Sequence, residues 1–481
     1  MTERPLAFRT AGELTALMRA GTLAPAELLD CYLDRIRRHD ATARAYITVT
    51  EEIARDAARH ARARLDKDGD APALTGLPYA VKDVIDASGV LTTGGSRVLS
   101  DNRARENARV VDLMTAGGAV LLGKTNLHEF AFGATGENPL TGTATNPYDP
   151  TRLAGGSSSG SAAAVGYGLA AAALGTDTGG SVRVPASLCG LVGLKPTLGR
   201  ISSRGVIPFA WSLDHLGTLT RSVGDAALLL QALAGPDPDD PGSADAAVDD
   251  YPAALDQPID GLRVGVPERF YFERADGEIL AASEAVLRAL EARGARLLTV
   301  AMPSMDHART VSLTVQMPEA LSYHSRYLGE RGELYGADLR AGLALGQCLL
   351  AEHYLRAKRF MAFYRRQTNA VLREVDVLVT PATPIIAPKI GTAHVTIDGV
   401  REAVGNALTR YTSFFNMTGH PAITLPVGLH SEGLPIAVQI VGRAFDEAGI
   451  LRAAGAVERD ERFRVPPPDL VSSVDGAACR A

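Results

Sequence analysis

The sequence predicts an α/β layered protein, and three observations carry that prediction. Short apolar runs alternate with amphipathic stretches of helical period along the chain. "LRVGVP", the helix-like "DGEILAASEAVLRALEARGA" and "RLLTVA" follow one another as strand, helix and strand. The composition, 46% hydrophobic and 22% charged over 481 residues, suits one large α/β domain or two to three ordinary ones.

The elements follow in order. Thr10 and Glu13 form the T-x-x-E pattern of a capping box, opening a helix with Leu14, Leu17 and Met18 on one face. Pro25 suits the first turn of a second helix, which carries Leu28, Tyr32 and Ile36. "AYITVT" and "LPYAVKDVI" read as strands. In the second, Ala80, Lys82 and Val84 share one face and Tyr79, Val81, Asp83 and Ile85 the other. "GGAVLLGKTN" reads as a short buried strand, and residues 138–160 as loop. "SAAAVGYGLAAAALGTDTGGSVRVPAS" gives a helix, a small-residue strand and a glycine turn. Residues 236–258, rich in Asp, Pro, Ala and Gly, form a linker or a long surface excursion. "DVLVTPATP", "PAITLPVG" and "PIAVQIVG" are later strands, and "DEAGILRAAGAVERDER" is a late helix. The tail after Val465 is proline-rich and polar, and is expected to be loosely ordered.

Bulk properties exclude several function classes. The net charge of −6, without a basic block, argues against nucleic acid as a partner. The N-terminal stretch carries charges where a signal peptide needs an apolar core. No apolar run reaches the ~18 residues of a membrane span. Cys31, Cys189, Cys348 and Cys479 are far apart and form no C-x-x-C pair. That pattern speaks against a zinc site and a disulfide framework, and for a reducing, cytoplasmic compartment.

Two stretches carry chemistry. "AGGSSSGSAAA" contains a G-x-S-x-G match at residues 156–160. A nucleophile elbow needs a strand immediately before it, and Pro147 and Pro150 make a central strand there improbable. It is not a phosphate-binding loop, since no Gly-Lys-Ser/Thr follows. In "GTDTGGSVRVPAS", Ser181 follows Thr178, Gly179 and Gly180. Two glycines free the backbone to aim consecutive N–H groups at one point, a nest suited to an oxyanion. A plain glycine turn is the alternative. Lys82, inside an apolar strand, is either a buried lysine with a partner or an edge lysine reaching for water.

These residues together resemble the amidase signature family of serine hydrolases. "GLPYAVKD", "GGSSSGSAAA" and "GTDTGGSVRVPAS" match its three-part pattern and spacing, with Ser159 standing where a glycine is more usual. "GKTNLHEFAFGATGENP", "CGLVGLKPTLGRIS", "SLDHLGTLTRSVGD" and "GHPAITLPVG" extend the likeness over roughly Leu77 to Gly442. The resemblance implies an α/β/α fold, a large mixed sheet covered by helices on both faces, as one domain over residues 1–481. Within it lie an N-terminal helical segment (1–70), a catalytic core (71–235), the linker or excursion (236–260), a second part of the sheet and pocket (261–465) and the tail (466–481).

The resemblance also assigns roles: Ser181 as nucleophile, Ser157 on a cis peptide bond as bridging serine, and Lys82 as base. The N–H groups around Thr178, Gly179 and Gly180 would hold the oxyanion, and Ser158, Asp177 and Arg183 would be scaffold. Phe130, Phe132, Phe209 and Trp211 are pocket candidates, and plain core packing is their alternative. With Lys82 and Ser157 in place, His128, His215 and His420 are read as structural. No histidine pair has metal-binding spacing, so neither metal nor other cofactor is expected.

The implied activity is hydrolysis of a small carboxamide to an acid and ammonia or an amine, with a homodimer as the default assembly. The rival is the glutamine-hydrolysing A subunit of a tRNA-dependent amidotransferase. That branch is expected to carry an arginine pair where Ala341 and Gly342 stand, and an acidic residue shortly before Asn416, where "LTRYTSFF" has none. Both departures favour a stand-alone amidase. An esterase or acyltransferase could use the same acyl-enzyme.

Overall fold

A computed structural model describes residues 5–67, 71–468 and 479. The strands are β1 (Tyr46–Val49), β2 (Pro78–Lys82), β3 (Val120–Thr125), β4 (Ala172–Asp177), β5 (Val192–Lys195), β6 (His215–Thr220), β7 (Arg263–Pro267), β8 (Arg296–Val300), β9 (Val377–Pro381), β10 (His394–Ile397), β11 (Val400–Ala403), β12 (Ala422–Leu429) and β13 (Pro435–Gly442). Eleven of them form one sheet in the order β1-β3-β2-β4-β6-β5-β12-β13-β9-β7-β8, and β10 and β11 pair separately. The sheet is mixed: β2 runs parallel to β3 and β4, β4 antiparallel to β6, and β12 antiparallel to β13. Helices flank it, and the main apolar core lies between them and the strands.

The serine–alanine run becomes the helix Ser159–Gly166, every residue of which is buried. Its small side chains follow from how closely it lies to its neighbours. A Cβ on Gly160 would stand 2.3 Å from the Asn126 nitrogen and 2.4 Å from the Ala45 oxygen, so no larger residue fits. The Ser161 hydroxyl donates to the Leu174 carbonyl of β4 at 3.1 Å. This seating fixes the entry to the helix, where Ser157 sits, against the C-terminal half of β4.

The fold departs from the sequence reading at several points. β2 ends at Lys82, so Lys82 closes the strand rather than lying mid-strand, and Val84 and Ile85 fall beyond it. β5 and β6 are not evident from the sequence: "VGLK" and "HLGTLT" are short and contain glycine or threonine. The helices Ala308–Arg331, Ala337–Cys348 and Ala351–Glu374 follow one another without an intervening strand, which breaks the alternation.

The 236–260 segment runs along the surface and is tied to the body. Ser202 Oγ and Arg204 Nε donate to Asp237, at 2.7 and 3.0 Å, and Arg200 donates to the Ala247 carbonyl at 2.8 Å. The segment also contains the short helix Tyr251–Ala254.

Cys31 and Cys479 are joined in a disulfide, which the reading against a disulfide framework did not anticipate. A separation of 448 residues hides such a pair from spacing arguments. The cysteine pattern therefore no longer argues for a reducing compartment. Most of the tail expected to be loose, residues 469–478 and 480–481, lies outside the described residues. Among the described residues no helix is long and apolar enough to cross a membrane.

Candidate active site

Three neighbouring segments meet at the ends of β2 and β4. Lys82, the last residue of β2, is fully buried, and its Nζ lies 2.7 Å from Ser157 Oγ and 2.8 Å from Thr176 Oγ1. Burial lowers its pKa to about 7, and the charges of Asp214 and Asp177 only partly oppose that. A neutral amine has two N–H donors and one lone pair. It can donate to Thr176 and accept from Ser157.

Ser157 follows a cis peptide bond from Gly156 and is fully buried. Its carbonyl accepts from the His128 N–H at 3.1 Å. The Ser158 N–H donates to the Ser181 carbonyl at 3.2 Å and ties the two serine segments together. The Ser158 hydroxyl donates to the Thr176 carbonyl at 3.2 Å.

Asp177 and Arg183 shape the turn that ends at Ser181. Both are fully buried, with Arg183 Nη2 2.8 Å from Asp177 Oδ1 and Nε 3.0 Å from Oδ2. Asp177 also accepts from the N–H groups of Gly180 (2.9 Å) and Val182 (3.1 Å). Burial pushes its carboxyl up, but the Arg183 charge and hydrogen bonds, helped by Lys195 and Asn416, hold it well below the usual carboxylate range. The rest of the Arg183 fork reaches Thr412 O, Gln439 Oε1 and Asn416 Oδ1 at 3.0, 2.6 and 2.7 Å. Gly180 has φ +131°, and a Cβ there would stand 2.2 Å from Thr412 Oγ1. Because the Gly180 N–H is committed to Asp177, the donors left in this turn are those of Thr178, Gly179 and Ser181, which have no acceptor among the described residues.

Asp177→Asn is expected to cost about 3–5 kcal/mol of stability, because it leaves the Arg183 charge buried without its partner. Urea denaturation at pH 7 measures this. The lowered carboxyl pKa sets the sign of the pH dependence. This pair stabilises above the unfolded carboxyl's value, near 3.8, and its contribution is lost as pH falls toward the folded pKa.

Ser181 opens into a cavity of about 160 Å³, which Thr178, Gly179, Phe132, Phe209, Leu313 and Met317 help to line. The Phe132 and Phe209 rings pack with centroids 5.0 Å apart. The Thr178 hydroxyl donates to Asp214 at 2.5 Å, and Asp214 also accepts from the N–H groups of Phe209 and Ala210. Phe130 instead packs in an apolar cluster, edge-on to His324 at 4.5 Å, and Trp211 is 51% exposed; neither lines the cavity.

His215 engages the Leu213 carbonyl and His420 the Asn369 side chain, at 2.6 and 2.8 Å. The His128 ring is buried, and burial lowers its pKa to about 4. None of the three rings hydrogen-bonds to Lys82, Ser157 or Ser181 among the described residues. No group of three or more His, Cys, Asp or Glu residues there could hold a metal ion.

Sequence reasoning missed Thr176, Asn416 and the cavity wall supplied by the helix Ala308–Arg331, namely Arg309, Leu313, Gln316 and Met317. Thr176 lies one residue before Asp177 and could have been suspected. The wall could not, since its residues read as an ordinary amphipathic helix.

The family model "Amidase" matches residues 27–451. An amidase from Pseudomonas putida is 41% identical, over 96% of this chain and 98% of its own length. The A subunit of a glutamyl-tRNA(Gln) amidotransferase from Chloroflexus aggregans is 37% identical, over 98% of this chain and 99% of its own. A solved structure from a vestigial protein complex, described as revealing the evolutionary origins of an s-triazine catabolic enzyme, superposes with a TM-score of 0.91 at 36% identity. It covers 95% of this chain and 100% of the other. The chain belongs to the amidase family, the amidase-signature hydrolases of amide C–N bonds.

Proposed function

We propose that the protein is a stand-alone amidase that cleaves a small carboxamide through an acyl-enzyme on Ser181. One observation carries this reading: a fully buried lysine with a pKa of about 7, bonded to Ser157 on the segment tied to Ser181. Serine is a weak nucleophile without a base, and a lysine near neutrality supplies one.

As Ser181 Oγ attacks the amide carbon, its proton passes to Ser157 and the Ser157 proton to Lys82. The free N–H groups of Thr178, Gly179 and Ser181 receive the oxyanion. Gly180 contributes its unusual backbone conformation rather than its N–H. Reversal of the relay delivers the proton to the leaving nitrogen, and the C–N bond breaks. Water then attacks the ester by the same relay, giving a carboxylic acid and ammonia or an amine.

The competing reading, a glutamine-hydrolysing component of an amidotransferase, draws support from relatives such as the Chloroflexus protein. Two features weigh against it. Free glutamine presents an ammonium group, yet no residue lining the cavity is acidic among those described. At Gly342, where that branch is expected to carry an arginine, a Cβ would stand 2.1 Å from the Phe132 ring, so aromatic packing fills the space.

The test is release of ammonia or amine from a panel of aliphatic and aromatic amides and free glutamine by the purified chain alone. Turnover of small amides with none on glutamine is expected. Turnover of glutamine alone would overturn the reading.

A further inference from the structure

Arg309 stands on the first turn of the helix Ala308–Arg331 and lines the same cavity as Ser181. Among the described lining residues it is the one charged side chain. Its hydrogen-bond partners are neutral: Asn406 Oδ1 at 2.8 Å and, more weakly, Thr409 Oγ1 at 3.5 Å. No carboxylate pairs with it among the described residues, and no acidic group acts on its charge.

A guanidinium carries five N–H donors in a planar fork, and two neutral acceptors position that fork without neutralising it. The remaining donors match a carboxylate in two-pronged geometry. The cavity that Arg309 and Ser181 share is lined by the apolar side chains of Phe132, Phe209, Leu313 and Met317, with the neutral polar Gln316 and Thr409 beside them. The cavity, about 160 Å³, is smaller than the ~300 Å³ at which drug-sized sites begin.

We infer that the substrate is a small amide bearing a carboxylate and no ammonium, with the carboxylate held by Arg309 and a short apolar spacer reaching to the scissile amide at Ser181. This rests on the amidase reading above and names its substrate class. An arginine with no acid nearby favours an anion, and the lack of any acidic lining residue disfavours a zwitterionic amino acid. Phe132 and Phe209 suit a methylene spacer.

The experiment compares kcat/KM for matched pairs in two arms. Succinamate against butyramide, and adipamate against hexanamide, place the carboxylate on the acyl side. N-acetylglycine against N-ethylacetamide places it on the leaving side. Wild type is expected to prefer the carboxylate partner at least tenfold in one arm, mainly through KM. The preference should fall to near unity in Arg309→Met and be partly kept in Arg309→Lys. The inference is overturned if wild type shows no preference in either arm, or if Arg309→Met keeps it. If the neutral amides are still hydrolysed by wild type and not by Ser181→Ala, the amidase reading survives that failure. If wild type hydrolyses no amide in any arm, the reading and this inference fall together.

Discussion

Ser181→Ala is expected to lower kcat/KM on any accepted amide by about four to six orders of magnitude, the scale on which loss of a serine nucleophile is felt. The reason is chemical. Ser181 is the serine that faces the cavity, whereas Ser157, Ser158, Ser159 and Ser161 are fully buried. Among these five serines Ser181 is the one placed to present an oxygen to a substrate in the cavity. Removing that oxygen leaves the free N–H groups of the 178–181 turn with nothing to follow their polarisation of the carbonyl. The fold should be unaffected to within about 1 kcal/mol, since a cavity-facing hydroxyl is replaced by a methyl and no buried partner is orphaned. Ammonia release and thermal unfolding of the same preparation separate the two effects.

Lys82→Met is expected to lower kcat/KM by about three to four orders and to abolish its dependence on pH near neutrality. In the wild type, burial sets the Lys82 pKa at about 7. The neutral, proton-accepting fraction is then about a tenth at pH 6 and about nine-tenths at pH 8. The logarithm of kcat/KM should therefore rise with unit slope below pH 7 and level off above it. A flat wild-type profile from pH 5.5 to 8.5 would remove Lys82 as the base.

The same shift has a signed effect on stability. Between pH 7 and the ordinary lysine value of 10.5, the unfolded chain holds a proton that the folded chain has released. The contribution of Lys82 to folding is thus least favourable below pH 7 and improves as pH rises toward 10.5. Lys82→Met lacks this dependence, so the difference in stability between mutant and wild type should change across that window.

What was legible in the sequence tracks how local each cause is. "GTDTGGSVRVPAS" and "GLPYAVKD" display their chemistry because turn glycines, an aspartate and a strand lysine are conspicuous against their neighbours. The serine–alanine helix was legible as a helix, but the reason for its small residues, the approach of Gly160 to Asn126 and Ala45, is a matter of tertiary packing. Asp177 and Arg183 were identifiable as flanking groups. That Asp177 takes up the Gly180 N–H, and so leaves Thr178, Gly179 and Ser181 as the free donors, depends on side-chain geometry that no spacing encodes.

Phe130 and Phe132 are two residues apart in one motif, yet one packs against His324 and the other faces the cavity. The left-handed backbone at Phe130 and Ala131 divides them. Arg309 was invisible because nothing in its own segment places it beside Ser181. The long helix delivers it there only once the sheet is assembled.

The central claim, that Ser181 is the nucleophile and is activated through Ser157 by Lys82, is tested most directly by covalent labelling. A small alkyl fluorophosphonate should form one Oγ–P bond per chain as the P–F bond breaks and fluoride leaves, the serine proton passing down the relay. Peptide mass mapping is predicted to place the phosphonyl group on Ser181, with amidase activity lost in step. The labelling rate should rise through pH 7, and Ser181→Ala should take up no label. Inactivation with the label on any other serine, or full activity with Ser181 labelled, would contradict the account.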